Sequence, residues 1–150
     1  MRKIRNTGTP IDVDEGLRQL DVKLGELPGL VAGYVYGSYG TPDQTPLSDV
    51  DLALVFKPAR VPAFDEHLRI IGRITEILGE EDCSVTVLNS APPIFQFRVL
   101  DTGRLLFCRD GTALADFVAG VLSRYADFMI DHRAFLEEYD AALVAEYGDG

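Results

Sequence analysis

The stretch Gly37-Ser38-Tyr39-Gly40-Thr41-Pro42-Asp43-Gln44-Thr45-Pro46-Leu47-Ser48-Asp49-Val50-Asp51 decides how this chain is read. Apolar runs flank it: Leu30-Val31-Ala32-Gly33-Tyr34-Val35-Tyr36 before, and Leu52-Ala53-Leu54-Val55-Phe56 after. Both runs read as strands, so a Gly-Ser turn leaves the first and two carboxylates open the second. Along a strand, residues i and i+2 project from the same face. Asp49 and Asp51 are therefore expected to aim at one point, while Val50 and Leu52 turn to the core. Two hard oxygen ligands so placed suit Mg²⁺, which is commonly held by one or two carboxylates together with substrate phosphates. Gly37 lets the backbone approach a ligand closely, and Ser38 offers a hydroxyl and an N–H to a phosphate. The chemistry implied is a site for a metal and a triphosphate.

Outward from this motif the chain alternates helical and extended patterns. Asp12, with Glu15 three residues on, reads as a helix start, and Val13, Leu17, Leu20, Leu24 and Leu27 recur at helical spacing up to Pro28-Gly29. Strands are expected near 31–36 and 50–56, the second ended by Lys57-Pro58. A helix near 62–79 follows, with Phe64, Leu68, Ile71, Ile74 and Leu78 inward and Gly79 as its stop. Ser84-Val85-Thr86-Val87-Leu88, rich in β-branched residues, predicts a third strand near 84–89. Ala91-Pro92-Pro93 breaks it, Ile94 to Leu100 reads as a short helix, and Leu105 to Cys108 as a short edge strand. From Gly111 the pattern is helical: Leu114, Phe117, Val118, Val121, Leu122, Tyr125, Phe128 and Met129 mark one face. Phe135, Leu136, Tyr139 and Leu143 continue that helix or begin another. The expected fold class is α/β (α+β), a small mixed sheet backed by helices with a helical C-terminus.

At 150 residues the expectation is one domain over 1–150, with a core near 12–108 and a helical region near 111–147. A chain of this length buries roughly two-thirds of its unfolded surface and needs no covalent staple. No apolar run approaches a membrane span. Arg2, Lys3 and Arg5 precede Asn6-Thr7-Gly8-Thr9-Pro10 rather than an apolar run, so the expected compartment is the cytoplasm. Cys83 and Cys108 are too few for a disulfide framework and read as small hydrophobes in strands. His67 and His132 read as helix-surface or half-buried residues. The net charge of −10 is uneven: residues 110–150 carry nine acids and two bases, a balance of −7. Such a surface repels a polyanion and attracts a protein with a basic face.

Gly37-Ser38, ten residues, then Asp49-Val50-Asp51 resembles the signature of the DNA polymerase β-like nucleotidyltransferases. Ser48, and Leu52-Ala53-Leu54 after Asp51, are similar to the small members called minimal nucleotidyltransferases. Val87-Leu88-Asn89, Ala91-Pro92-Pro93, Gly103-Arg104-Leu105-Leu106 and Tyr125-Ala126-Asp127-Phe128 extend the resemblance to the MNT-type antitoxins that pair with HEPN-domain toxins. The likeness covers roughly residues 30 to 130. It implies that Asp49 and Asp51 are catalytic and hold Mg²⁺, and that Gly37, Ser38 and Ser48 hold the nucleotide. It further implies AMP transfer from ATP to a tyrosine of a HEPN ribonuclease partner. Lys57, Arg98 and Arg104 are the nearest basic candidates for the triphosphate tail, and Tyr39 stands where relatives often carry a base.

One position departs from that pattern. The family places a third carboxylate five residues before the Asn of the Leu-Asn pair, which here is Ser84. Serine supplies no negative charge and is no strong general base. Asp82 stands two residues earlier as a substitute, or as an exposed turn acid. Three readings stay open: an adenylyltransferase antitoxin, an antitoxin that neutralises its toxin by binding alone, and a transferase for a small molecule such as an aminoglycoside. The last needs a second substrate-binding surface, which a homo-oligomer could build. Nucleic acid is disfavoured as a partner by the acidic balance.

Overall fold

The computed structural model describes residues 13–37, 50–79 and 83–147. Helix α1 (Val13–Leu24) leads into strand β1 (Leu30–Tyr36), and strand β2 (Val50–Phe56) follows the motif. A 3-10 turn at Pro58–Arg60 precedes α2 (Phe64–Leu78) and β3 (Cys83–Val87). A second 3-10 turn, Leu88–Ser90, precedes α3 (Pro93–Thr102), β4 (Arg104–Cys108) and the 37-residue α4 (Gly111–Tyr147). The strands form one mixed sheet in the order β3-β2-β1-β4. β1 pairs antiparallel with both β2 and β4, and β2 pairs parallel with β3 across the α2 crossover.

Helices cover both faces of the sheet, which explains why the two central strands read as unbroken apolar runs. On one face, Leu52, Leu54 and Phe56 of β2 pack with Leu20 and Leu24 of α1 and Ile74 and Leu78 of α2. On the other, Ala53 and Val55 pack with Val31 and Tyr34 of β1 and with Val99 of α3. The half-buried Leu114 and Phe117 of α4 close that second layer. The third strand is one residue earlier and shorter than its pattern suggested, because Leu88 and Asn89 turn out of the ladder. Asn89 instead clamps the end of β2: its Oδ1 accepts from the Phe56 N–H at 2.9 Å and its Nδ2 donates to the Phe56 carbonyl at 2.7 Å.

The inward face of α2 differs from the one expected. Ile70, Ile74 and Leu78 are buried, but Phe64 is 73% exposed and Leu68 51% exposed. The sheet-side place at the first turn belongs to His67, whose Nε2 lies 2.8 Å from the Val85 carbonyl. β3 is an edge strand, and an unpaired outward carbonyl there needs a polar partner more than the helix needs a further apolar contact. Cys83 is half-buried against the core as expected, whereas Cys108, on the opposite edge strand, is exposed. His132 is exposed on α4. The expected N-cap, Asp12, lies outside the described residues. Among the described residues no helix is long and apolar enough to cross a membrane.

These positions make a direct stability test. Ile74→Ala or Leu54→Ala is expected to cost about 2–5 kcal/mol in urea unfolding, whereas Leu68→Ala is expected to stay within about 0.5 kcal/mol of wild type.

Candidate active site

Gly37 closes β1 with φ +78°, a region that disfavours side-chain-bearing residues. A Cβ built on it would stand 2.5 Å from Oδ2 of Asp51. Backbone conformation and space thus both require glycine here, and the absence of a side chain lets the Asp51 carboxylate lie against the turn. Asp51 itself is set by alternation. Its neighbours Val50 and Leu52 are 1% and 0% exposed on the α1/α2 face, so Asp51 projects toward the α3 face and is half-buried there.

Register then decides what stands beside it. Asp51 is opposite Tyr36 of β1 and opposite Ser84 of β3. In adjacent strands about 4.8 Å apart, such partners carry their side chains on one face. Tyr36 and Ser84 therefore flank Asp51 on either side. The Tyr36 ring crosses the sheet toward β3, with its hydroxyl 3.3 Å from Thr86 Oγ1. The residue between them on β2, Ala53, has too small a side chain to block that path. Phe95 of α3 packs edge-on against the Tyr36 ring, centroids 5.5 Å apart. An open groove of about 480 Å³ continues from Thr86 along the β3 edge, walled by Phe95, Pro92, His67 and Phe64.

The donors gathered on this face are oxygens: the Asp51 carboxylate and the hydroxyls of Ser84, Thr86 and Tyr36. Such a set suits a hard cation or phosphate and not a soft metal. The thiol nearby, Cys83, packs on the core side, where burial and then the Asp51 carboxylate push it up to about 12. It stays a neutral thiol at physiological pH and offers no thiolate ligand. Among the described residues no cluster of three or more His, Cys, Asp or Glu is disposed around a metal position.

Of the site residues expected from sequence, Gly37 and Asp51 are described and lie against each other. Ser38, Ser48, Asp49 and Tyr39 lie outside the described residues, as does Asp82. Ser84 stands where counting back from Asn89 put it, beside Asp51. Lys57 is a correction. It follows β2 at the end opposite Asp51, roughly 20 Å along the strand, and pairs with Asp110 at 3.3 Å. Asp110 also accepts from the Ala113 N–H at the start of α4. That hydrogen bond, then Lys57, holds its carboxyl below the usual range. A larger cavity of about 680 Å³ lies at this far end, beside Lys57 and Asn89, away from the motif. Arg104 is exposed opposite Val35, at the same end of the sheet as Gly37, and Arg98 is exposed on α3. Tyr36 and Thr86 were missed as site residues. Tyr36 is Asp51's partner on β1 and Thr86 stands two residues beyond its partner on β3, placements set by strand register that the sequence alone does not carry.

The profile of the family described as "Polymerase beta, Nucleotidyltransferase" matches residues 19–112. The chain belongs to that nucleotidyltransferase family. Its fold is shared by a chain from a toxin–antitoxin complex with AMP-PNP, at TM-score 0.66 and 19% identity, covering 83% of this chain and 97% of the other. It is shared also by a chain from the Shewanella oneidensis complex of tri-AMPylated HEPN toxin with MNT antitoxin, at TM-score 0.65 and 18% identity, over 85% and 98%. A third likeness is to the toxin–antitoxin MntA-HepT, at TM-score 0.63 and 17% identity, over 84% and 97%. No curated protein matches the sequence.

Two outcomes follow from this geometry. Gly37→Ala is expected to lower stability by about 1–3 kcal/mol from the backbone alone, whereas Gly72→Ala on α2, where nothing stands within 4 Å of the new Cβ, should be neutral or stabilising; thermal melts compare them. At pH 8 iodoacetamide should alkylate exposed Cys108 well before Cys83, because the raised thiol pKa keeps Cys83 protonated until strongly alkaline pH. Peptide mapping reads the order of modification.

Proposed function

We infer that this chain is an antitoxin of the nucleotidyltransferase type, which transfers AMP from ATP to a tyrosine of a HEPN-domain toxin. The observation that carries this reading is the position of Asp51, half-buried on the α3 face of the sheet against the bare backbone of Gly37 and flanked by hydroxyls. Family membership supports nucleotidyl transfer as the reaction class. The partner and the nucleotide come from the structural likenesses, which include a complex with AMP-PNP and a tri-AMPylated HEPN toxin.

Each residue then takes a role that its chemistry allows. Asp51, with Asp49, holds Mg²⁺; when bound, the ion supplies positive charge to the triphosphate and its leaving group. Gly37, Ser38 and Ser48 seat the phosphates. Tyr36, braced by Phe95 and bonded to Thr86, gives the nucleotide or the acceptor a rigid floor. The acceptor oxygen of the partner's tyrosine forms a bond to the α-phosphorus of ATP. The bond from that phosphorus to the β-phosphate oxygen breaks, pyrophosphate departs, and the tyrosine proton passes to solvent. Positioning and charge neutralisation carry such a transfer.

Ser84 favours a second reading. It occupies the strand position beside Asp51 from which a third carboxylate would act, and it brings neither charge nor basicity. A chain that binds MgATP and its partner but transfers AMP slowly, neutralising the toxin by contact, follows from that substitution.

The test joins both readings. With the product of the adjacent reading frame as candidate partner and MgATP, intact-mass analysis should show AMP added to a partner tyrosine, and Asp51→Asn should abolish it. Ser84→Asp should raise the transfer rate by about tenfold or more if the missing carboxylate limits catalysis as a base or ligand does elsewhere. Complex formation with no mass gain in either protein selects the binding-only antitoxin. Neither binding nor modification rejects both readings.

A further inference from the structure

The last half of α4 is bare. Val121 is the last fully buried residue of the helix, and Tyr125 is the last to pack on the body, its ring meeting that of Phe97. Residues 126–146 are all exposed, so about 30 Å of helix projects beyond the domain. A projecting helix of this kind is normally polar all round. This one carries large apolar side chains in a stripe along one side, with His132 among them stacked on Phe128. Met129, Leu136 and Leu143 recur every seven residues, and Phe128, Phe135 and Tyr139 lie beside them. At 100° per residue they fall within a sector about 120° wide. They are 37% to 62% exposed, and Phe135 and Tyr139 stack at 6.4 Å on the helix surface. The opposite side carries Asp127, Asp131 and Glu138, with Ile130 and Val144 exposed among them.

The width and length of the stripe match the seam of a helix that packs along another helix or into a groove. Charge separates the occupants. Residues 126–146 hold six acids and the single base Arg133, a balance of −5. Two copies laid together on this seam would bring two such segments side by side, which like-charge repulsion disfavours. A partner whose apolar face is bordered by Lys or Arg meets no such cost, and is drawn in by the field.

We propose that the projecting half of α4 is the docking arm for the toxin, engaging an apolar face of that protein rimmed with basic residues. The inference rests on the partner named under the proposed function and adds the surface that partner uses. The arm also separates two tasks along one chain: the sheet face bearing Asp51 performs chemistry, and the stripe from Phe128 to Leu143 supplies the contact.

The experiment compares wild type, Phe135→Ala/Tyr139→Ala and Asp51→Asn, each full length, by calorimetry against the product of the adjacent reading frame and against MgATP. Alanine keeps the helix, and both replaced side chains are exposed, so the fold is expected to persist by circular dichroism. The arm variant should bind the partner at least about tenfold more weakly, as removal of a central aromatic anchor does, while its MgATP affinity is unchanged. Asp51→Asn should lose MgATP affinity and still bind the partner. Equal partner affinity in the arm variant and wild type overturns the docking arm and leaves the AMP-transfer reading standing. A wild-type dimer in sedimentation that the arm variant abolishes also overturns it, because the stripe then serves a second copy. Absence of any wild-type complex overturns the arm and its named partner together, while retained MgATP binding then keeps the nucleotide site.

Discussion

The register of β2 between its two neighbours is the constraint on which the rest of this structure depends. Every residue from Leu52 to Phe56 is buried, and alternate residues serve cores on opposite sides of the sheet. A slip of one residue would carry Leu52 and Leu54 onto the wrong face and swing Asp51 into the α1/α2 core. The cost of burying an unpaired carboxylate and unpacking two leucines forbids that slip. The same hydrophobic pattern that stabilises the sheet therefore aims the carboxylate. Asn89 secures the far end of the strand by taking both backbone groups of Phe56, and Gln96, buried on α3, donates to the Leu88 carbonyl at 2.8 Å. Those side chains act on the site at a distance, by fixing the strand that presents it.

The strands and the short helices were legible because two-residue and 3.6-residue periods survive in the sequence without competition. Strands β1 and β2 fall where their apolar runs stand, and Val50 and Leu52 turn inward as alternation requires. The face of α2 was misjudged at its first turn, since apolar content ranked Phe64 and Leu68 above His67, and hydropathy does not register the orphan Val85 carbonyl at a sheet edge. Lys57 was close to Asp51 in sequence and far from it in space, because six residues of strand are a long rod and not a loop. Tyr36 was invisible as a site residue for a different reason. Its role comes from pairing with β2 and from the smallness of Ala53 on the strand it crosses, both non-local facts. The Gly-Ser turn and Asp49, the strongest sequence signal, lie mostly outside the described residues, so that part of the site rests on the motif.

Ser84 connects this geometry to rate. A carboxylate beside Asp51 on the neighbouring strand would add a ligand oxygen and a base, but without a cation it would also set two negative charges about one strand spacing apart. Serine removes that repulsion and with it the base. The face then retains one described carboxylate, a phenol bonded to Thr86, and a rigid aromatic brace. On the proposed antitoxin reading, slow chemistry is tolerable if the two chains stay together long enough. Residence time is set mainly by the buried contacts of an interface, and encounter rate by its charge. An arm with an apolar stripe and a net acidic charge supplies both, so on that reading Ser84 beside Asp51 and the exposed α4 stripe point toward the same division of labour.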